Sequence, residues 1–423
     1  MKFYYVCGIM LLSRSCKQKK EKIMETLVEE AKSVPVKGNY DVIVAGGGIA
    51  GISAALASKR EGAKTLLIEK SFMLGGLATA GLVTIYLPLC DGEGTQVSFG
   101  IAEELLRLSV SLGYEDRNID FWLNENGDKE ARKKTRFETQ FNANVFAILC
   151  EQLLKKEGVD ILYGTSVCSV VKNGNHIDAV ITENKSGREA YMANAFVDGT
   201  GDADLFKFAQ APTVNFGQGN VAAYWYYEYF ENAYKLRMLG FADIPDKYKT
   251  QEKIENDTRK RYTGLDGKEL SELTEFCHSQ ILDDFLKKGE VGDNHALCTI
   301  ATTPQIRMTR RIDGKYVMCD EEIRVRFDDS VGLFSNWHKK GPVYELPFRC
   351  LYTDIDNMFT CGRSISVSDD MWDITRVIPV CAVSGEAVGI AAAMLQDTIA
   401  NIDVAKLQNK LRANGVKIHT DEI

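Results

Sequence analysis

The chain has 423 residues, 45% hydrophobic and 26% charged. That is the balance of an ordinary globular protein, in a chain too long for one modest core. Its 51 basic and 59 acidic residues leave a net charge of −8, with no long basic block beyond the N-terminal tail, so nucleic-acid binding has no electrostatic basis. No apolar run approaches the length of a membrane span.

Residues 1–37 read as a tail. Within it, 3–12 (FYYVCGIMLL) is short, apolar and preceded by Lys2, like the core of a secretory signal. Arg14 interrupts the region where cleavage would fall, and a lysine-rich run follows. A plain tail, or a true start at Met24, is therefore favoured over a signal.

Residues 40–70 (YDVIVAGGGIAGISAALASKREGAKTLLIEK) carry the first chemistry. Val42 to Ala45 form an unalternating apolar run, as in a parallel strand buried on both faces. Gly46, Gly48 and Gly51 give G-x-G-x-x-G: a tight turn, close approach to a pyrophosphate, and close helix–strand packing. A helix over 52–60 would aim its N-terminus at the phosphates, Gly62 ends it, and 65–68 form a second strand. Glu69 then stands where a carboxylate accepts from both ribose hydroxyls and disfavours a 2′-phosphate. The whole βαβ unit points to a dinucleotide.

Further along, 74–84 (LGGLATAGLVT) bring a second glycine pair close after Glu69. The spacing predicts a helix over 144–157, strands over 160–163 and 167–171, a hairpin turn at Asn173-Gly174-Asn175, and antiparallel strands over 177–182 and 190–197. The last runs into DGTGDADL (198–205). Residues 246–290 are polar, lysine-rich and helical in pattern. A strand at 358–363 ends in glycine and arginine, and 378–395 form a helix rich in small residues. No internal repeat is visible. The eleven cysteines are scattered without a C-x-x-C, which suits buried thiols in a reducing cytoplasm better than a disulfide frame or a zinc site.

These motifs together resemble the FAD-dependent oxidoreductase superfamily of glutathione reductase-like and fumarate reductase-like flavoproteins, in particular a bacterial branch with a GGLAT-AG segment. The resemblance rests on the first fingerprint with Glu69, GGLATAG (75–81), DGTGDADL (198–205), CGRSIS (361–366) and RVIPVCAVSGEAVGIAAA (376–393), in that order. It implies FAD, held non-covalently since no histidine precedes His176. It further implies cofactor contacts at Gly46, Gly48, Ala50, Gly51, Glu69, Lys70, Gly75, Gly76, Leu77, Ala78, Thr79, Val167, Gly199, Thr200, Gly201, Asp202, Gly362, Arg363, Val383 and Ser384. The reactive cysteine pair of the disulfide reductases is absent. Gly217 to Ala222 (GQGNVA) follows no convincing strand and reads as a loop rather than a second nucleotide site.

The resemblance also carries over Arg307, Arg310 and His338 as catalytic candidates. Arginines suit a carboxylate or other oxyanion, and a histidine can move the proton that accompanies hydride transfer. Asn336 stands where the family has an acid, leaving His338 without its usual partner. The blander reading pairs the arginines with local acids such as Asp313 and Glu321. Trp225, Tyr226 and Tyr227 fit a pocket wall but suit a core better.

The expectation is an α/β protein: a Rossmann-like FAD-binding domain with a central parallel sheet (38–210 and 345–400), a mixed α+β substrate or cap domain (211–344), and a C-terminal tail (401–423). Its expected function is hydride transfer between flavin N5 and a small organic substrate, with a carboxylate as the group the arginines suit. The expected setting is cytoplasmic, with an electron-transfer partner, no nucleic acid and no membrane span. Two alternatives stay open: a flavin-dependent monooxygenase or halogenase using O₂, and a non-catalytic flavin-binding protein.

Overall fold

Strand β1 (Val36–Ala45) begins earlier than its apolar run, because its first half pairs with a neighbour while its side chains face water. The buried half, Val42–Ala45, turns through glycine into helix α1 (Ile49–Arg60), which returns to β2 (Thr65–Ile68). Helices α2 (Ile101–Ser109) and α3 (Ala143–Glu157) follow, α3 capped by the Asn142 side chain, and lead to β3 (Asp160–Leu162). The expected antiparallel section forms β4 (Ser166–Asn173), β5 (His176–Asn184) and β6 (Gly187–Asp198), with Gly174 at φ +60° in the tight turn.

This is a computed structural model, describing residue 27 and residues 29–113, 119–123 and 128–423. The signal-like segment, Met24, Cys7 and Cys16 lie outside the described residues. The chain divides into residues 1–33, where Lys32 pairs with Glu29, and residues 34–423, to which everything below refers.

The remaining elements that matter here are β7 (Tyr224–Phe230), β8 (Ala233–Leu239), α4 (Gly267–Leu286), β9 (His295–Ile300), β10 (Met358–Thr360) and α5 (Ile378–Met394). The main sheet runs β3-β2-β1-β6, parallel throughout. The long β6 divides its other edge: its first half pairs antiparallel with β5, and Phe196–Asp198 pair parallel with β10. Five parallel strands therefore end on one side, where open α/β sheets bind their ligands.

Helix α5 is buried along its length from Ile378 to Ala392 and lies against α1. Gly385 and Gly389 make this possible, since a methyl on either would run into the carbonyls of Ala50 and Ala54. No single helix among the described residues is long and apolar enough to cross a membrane.

A separate antiparallel sheet, β8-β7-β9, carries the aromatic run. Alternation sends Tyr226 onto Ile281 and Phe285 of α4, while Trp225 and Tyr227 pack on Leu82 and Ala143. The segment expected to be helical from 246 to 290 is helical at Gln251–Glu255 and in α4. Around the short helix, salt bridges hold irregular chain: Asp243 meets Lys249 and Arg261, both at 2.6 Å, and Asp257 meets Arg259 at 2.7 Å.

Candidate functional site

The loops that leave the parallel strands meet in one cavity of about 510 Å³. Gly46 and Gly48 follow β1, Glu69 and Lys70 follow β2, and Thr165–Val167 come shortly after β3. Gly199–Asp202 follow β6, and Cys361–Arg363 follow β10. Gly75–Ala78, Ile306, Arg307, Thr309, Arg376, Val377 and Ile378 complete much of the wall.

Backbone chemistry explains the glycine turn. Gly46 has φ +95°, and a Cβ there would come within 2.5 Å of the Gly199 carbonyl oxygen. A Cβ on Gly51 would collide with the Gly46 carbonyl, so this glycine serves packing and does not line the cavity. Gly48 faces open space, and no side chain caps α1 behind it. The first turn of α1 thus offers free N–H groups and a positive dipole end to an anion.

Glu69 is 7% exposed. Its Oε2 accepts from the Gly47 N–H at 2.6 Å and its Oε1 from the Ser71 N–H at 2.7 Å. The acid therefore shapes the glycine turn, and its second lone pairs remain for hydroxyl donors.

Asp198, fully buried at the end of β6, organises the next loop. It accepts from the Thr200 hydroxyl at 2.6 Å and from the Leu205 N–H at 2.9 Å. Burial, with Asp204 nearby, pushes its carboxyl up to about 6. Asp202 accepts from the Thr309 hydroxyl at 2.6 Å.

The three catalytic candidates separate. Arg307 lines the cavity, is 6% exposed, and has no carboxylate partner among the described residues. Its guanidinium lies 5.7 Å from the Trp225 ring centroid. Burial, then repulsion from Arg376 and Arg363, lowers it to about 9, with Asp373 opposing. Arg310 is outside the lining: it donates to the Asp202 carbonyl at 2.8 Å and pairs with Asp204 at 2.6 Å. An acid does hold it, but one distant in the chain and neither of the neighbouring Asp313 and Glu321. His338 is also outside the lining, with Nε2 2.6 Å from Asp373 Oδ2.

Among the expected cofactor residues, Thr79, Val383 and Ser384 stand behind the wall. Thr79 donates to the Leu74 carbonyl and sits under Gly75. Ser384, more than a turn into α5, accepts from the Gly362 N–H at 2.9 Å and so sets the turn that follows β10. Val383 packs on Gly332. The cavity is reached instead by Val377, Ile378 and Cys381 around the start of α5.

Asn220 and Arg376 lie in segments marked out by the sequence (217–222 and 376–393) but with no site role given to either residue, while Gln305 and Asp373 carry no such signal. Asn220, in the GQGN loop, donates to the Met308 carbonyl at 2.5 Å and accepts from the Met308 N–H at 3.2 Å. The nine cysteines among the described residues form no disulfide.

An uncapped helix N-terminus, a buried ribose-type acid beyond it, and glycine turns that a Cβ would fill are the features a dinucleotide needs, and the cavity fits one. The profile of the FAD dependent oxidoreductase family matches residues 41–225 and 222–411, and this chain belongs to that family, with FAD as its cofactor. It is 34% identical over 101 residues to a thioredoxin reductase of Ureaplasma parvum (24% of this chain, 31% of that one). It is 33% identical over 139 residues to a digeranylgeranylglycerophospholipid reductase of Picrophilus torridus (33% of each). The matches thus span about a third of each curated relative. A geranylgeranyl bacteriochlorophyll reductase-like structure from Thermoplasma acidophilum superposes with a TM-score of 0.45 at 14% identity, covering 89% of this chain and 83% of that one.

Proposed function

We propose that this protein is an enzyme that oxidises or reduces a small, carboxylate-bearing organic molecule. The observation that carries this reading is Arg307: a buried guanidinium in the cavity wall that pairs with no carboxylate among the described residues. An unpaired buried charge is costly, and an anionic ligand removes the cost. FAD, when bound, supplies hydride transfer at N5.

The chain's own residues divide the remaining work. We assign the pyrophosphate to the N-terminus of α1 and the adenosine ribose to Glu69. Val83, Ile85 and Leu87 form an apolar stretch of wall that excludes water beside the substrate. Arg307 would bind and orient the carboxylate. His338 has no part in this reading, because Asp373 holds it away from the lining.

The cofactor part is assigned to 38–210 and 345–400, and the cap to 211–344, which supplies Arg307 and the aromatic sheet beneath it. We also infer an electron-transfer partner that recharges the flavin. The scattered thiols, none of them in a disulfide among the described residues, support a reducing, cytoplasmic setting.

The test is an anaerobic screen of the FAD-loaded protein against small organic acids and their neutral amides. Flavin bleaching or reoxidation by acids and not by amides supports the reading. Turnover of the amides as readily as the acids would sink it.

A further inference from the structure

Gln305 is 3% exposed and holds Arg307 twice. Arg307 Nη1 donates to the Gln305 carbonyl at 3.2 Å, and Nη2 donates to Gln305 Oε1 at 3.1 Å. The other end of the same amide, Nε2, donates to the Gly81 carbonyl at 2.6 Å. Just upstream, the Thr302 N–H donates to the Ala80 carbonyl at 2.8 Å. Residues 302–305 are thus stitched to the loop that follows Gly75–Ala78 in the cavity wall.

The amide orientation is dictated by its neighbours. A guanidinium only donates, so the oxygen must face Arg307. A carbonyl only accepts, so the NH₂ must face Gly81. A carboxylate of the same shape could not do both, because one of its oxygens would oppose the Gly81 carbonyl. Gln305 also carries no charge. It fixes the direction of the arginine while leaving its positive charge uncompensated, and it uses only two of the five guanidinium N–H donors.

Resting on the reading of Arg307 as the anion-binding group, we propose that Gln305 is the specificity-determining residue of this site. It is a positioning residue whose neutrality makes the cavity select anions over their neutral isosteres. The backbone supports the same geometry, since Arg363 Nη1 donates to the Arg307 carbonyl at 3.0 Å.

The test compares benzoate with benzamide, titrated into FAD-loaded protein and followed by the flavin absorbance difference. Wild type should prefer benzoate. Gln305→Glu should retain FAD yet lose about tenfold or more of that preference, because the new carboxylate neutralises Arg307. Gln305→Met keeps the charge and loses the aim, so benzoate should bind several-fold more weakly while remaining the preferred ligand.

A merely structural role would weaken both ligands together and leave their ratio alone. An unchanged ratio in Gln305→Glu overturns the proposal and leaves the anionic-substrate reading standing. Should Gln305→Glu fail to fold, unchanged benzoate affinity in Gln305→Met overturns it equally. A wild type that does not distinguish the two ligands overturns both.

Discussion

Asp373 Oδ2 lies 2.6 Å from Nε2 of His338, so the acid missing at position 336 is supplied from 35 residues beyond the histidine. The same carboxylate accepts from Arg376 Nε at 2.9 Å. Burial alone would raise Asp373, but Arg376 and then His338 outweigh it and hold the group at about 2. Asp373 thereby joins the Trp337–His338 segment to the arginine beside α5.

Asp373→Asn should cost stability, by about 3–5 kcal/mol if the full price of breaking a buried pair applies. The native pKa is depressed, so the contribution is complete above the ordinary value of 3.8 and fades as pH falls through about 2. Urea denaturation of both proteins at several pH values checks this. A stability gap that does not narrow in acid would contradict it.

Glu69→Ala and Arg307→Ala should fail in different ways. The first removes acceptors for the Gly47 and Ser71 N–H groups as well as for the ribose. FAD retention should weaken by roughly 1–3 kcal/mol, with near-normal flavin chemistry at saturating FAD. Arg307→Ala should keep FAD and an ordinary spectrum while reduction by substrate slows, and added FAD should not restore it. FAD titration and single-turnover kinetics separate the two. An Arg307→Ala protein that loses FAD but keeps its chemistry would reassign the arginine to the cofactor.

Anion affinity in the wild type should fall as pH rises through about 9, where burial and the neighbouring arginines let Arg307 lose its proton. A bound anion favours the charged form, so the midpoint with ligand present should lie higher than without it. Titrations of benzoate between neutral and alkaline pH measure both. A flat profile would mean that Arg307 does not carry the binding.

Asp198→Asn should destabilise the fold by about 1–3 kcal/mol. One oxygen of Asp198 accepts from Thr200 and the other from the Leu205 N–H, so whichever side receives the amide NH₂ confronts a backbone donor. Thermal melts of the FAD-free protein isolate this effect from cofactor binding. An unchanged melting temperature would show that the Gly199–Asp202 loop does not depend on the carboxylate.

Glu386→Gln tests a buried acid remote from the catalytic chemistry. Glu386, 3% exposed within α5, accepts from the Ile101 N–H at 2.8 Å at the start of α2. Burial raises it to about 8 from 4.5, with Glu104 adding to the effect and Arg60 opposing it. The folded state therefore binds more protons than the unfolded state in that window, and stability falls as pH rises across it. Glutamine still accepts from Ile101 and cannot ionise. The variant should match wild type near pH 4 and melt at a higher temperature above pH 8. A variant less stable at both values would show that the ionised form is needed.

Local patterns settled much of the cofactor half. The βαβ unit with Glu69, the strand–hairpin–strand run to Asp198 and the buried small-residue helix are written in short-range spacing, where glycine position and hydrophobic period act directly on the backbone. The site itself was legible only in part. Gly46, Gly48, Glu69, Gly199–Asp202, Arg363 and Arg307 meet in one cavity because five parallel strands end together, and only long-range pairing brings those ends side by side. Arg307 and Arg310 look equivalent in sequence. What separates them is that Asp204, over a hundred residues away in the chain, pairs with Arg310, while no carboxylate among the described residues pairs with Arg307. Likewise Asp373 for His338 and Gln305 for Arg307 are choices of tertiary packing. A side chain's partner depends on which surfaces the fold buries against each other, and a residue's identity and its near neighbours do not contain that information.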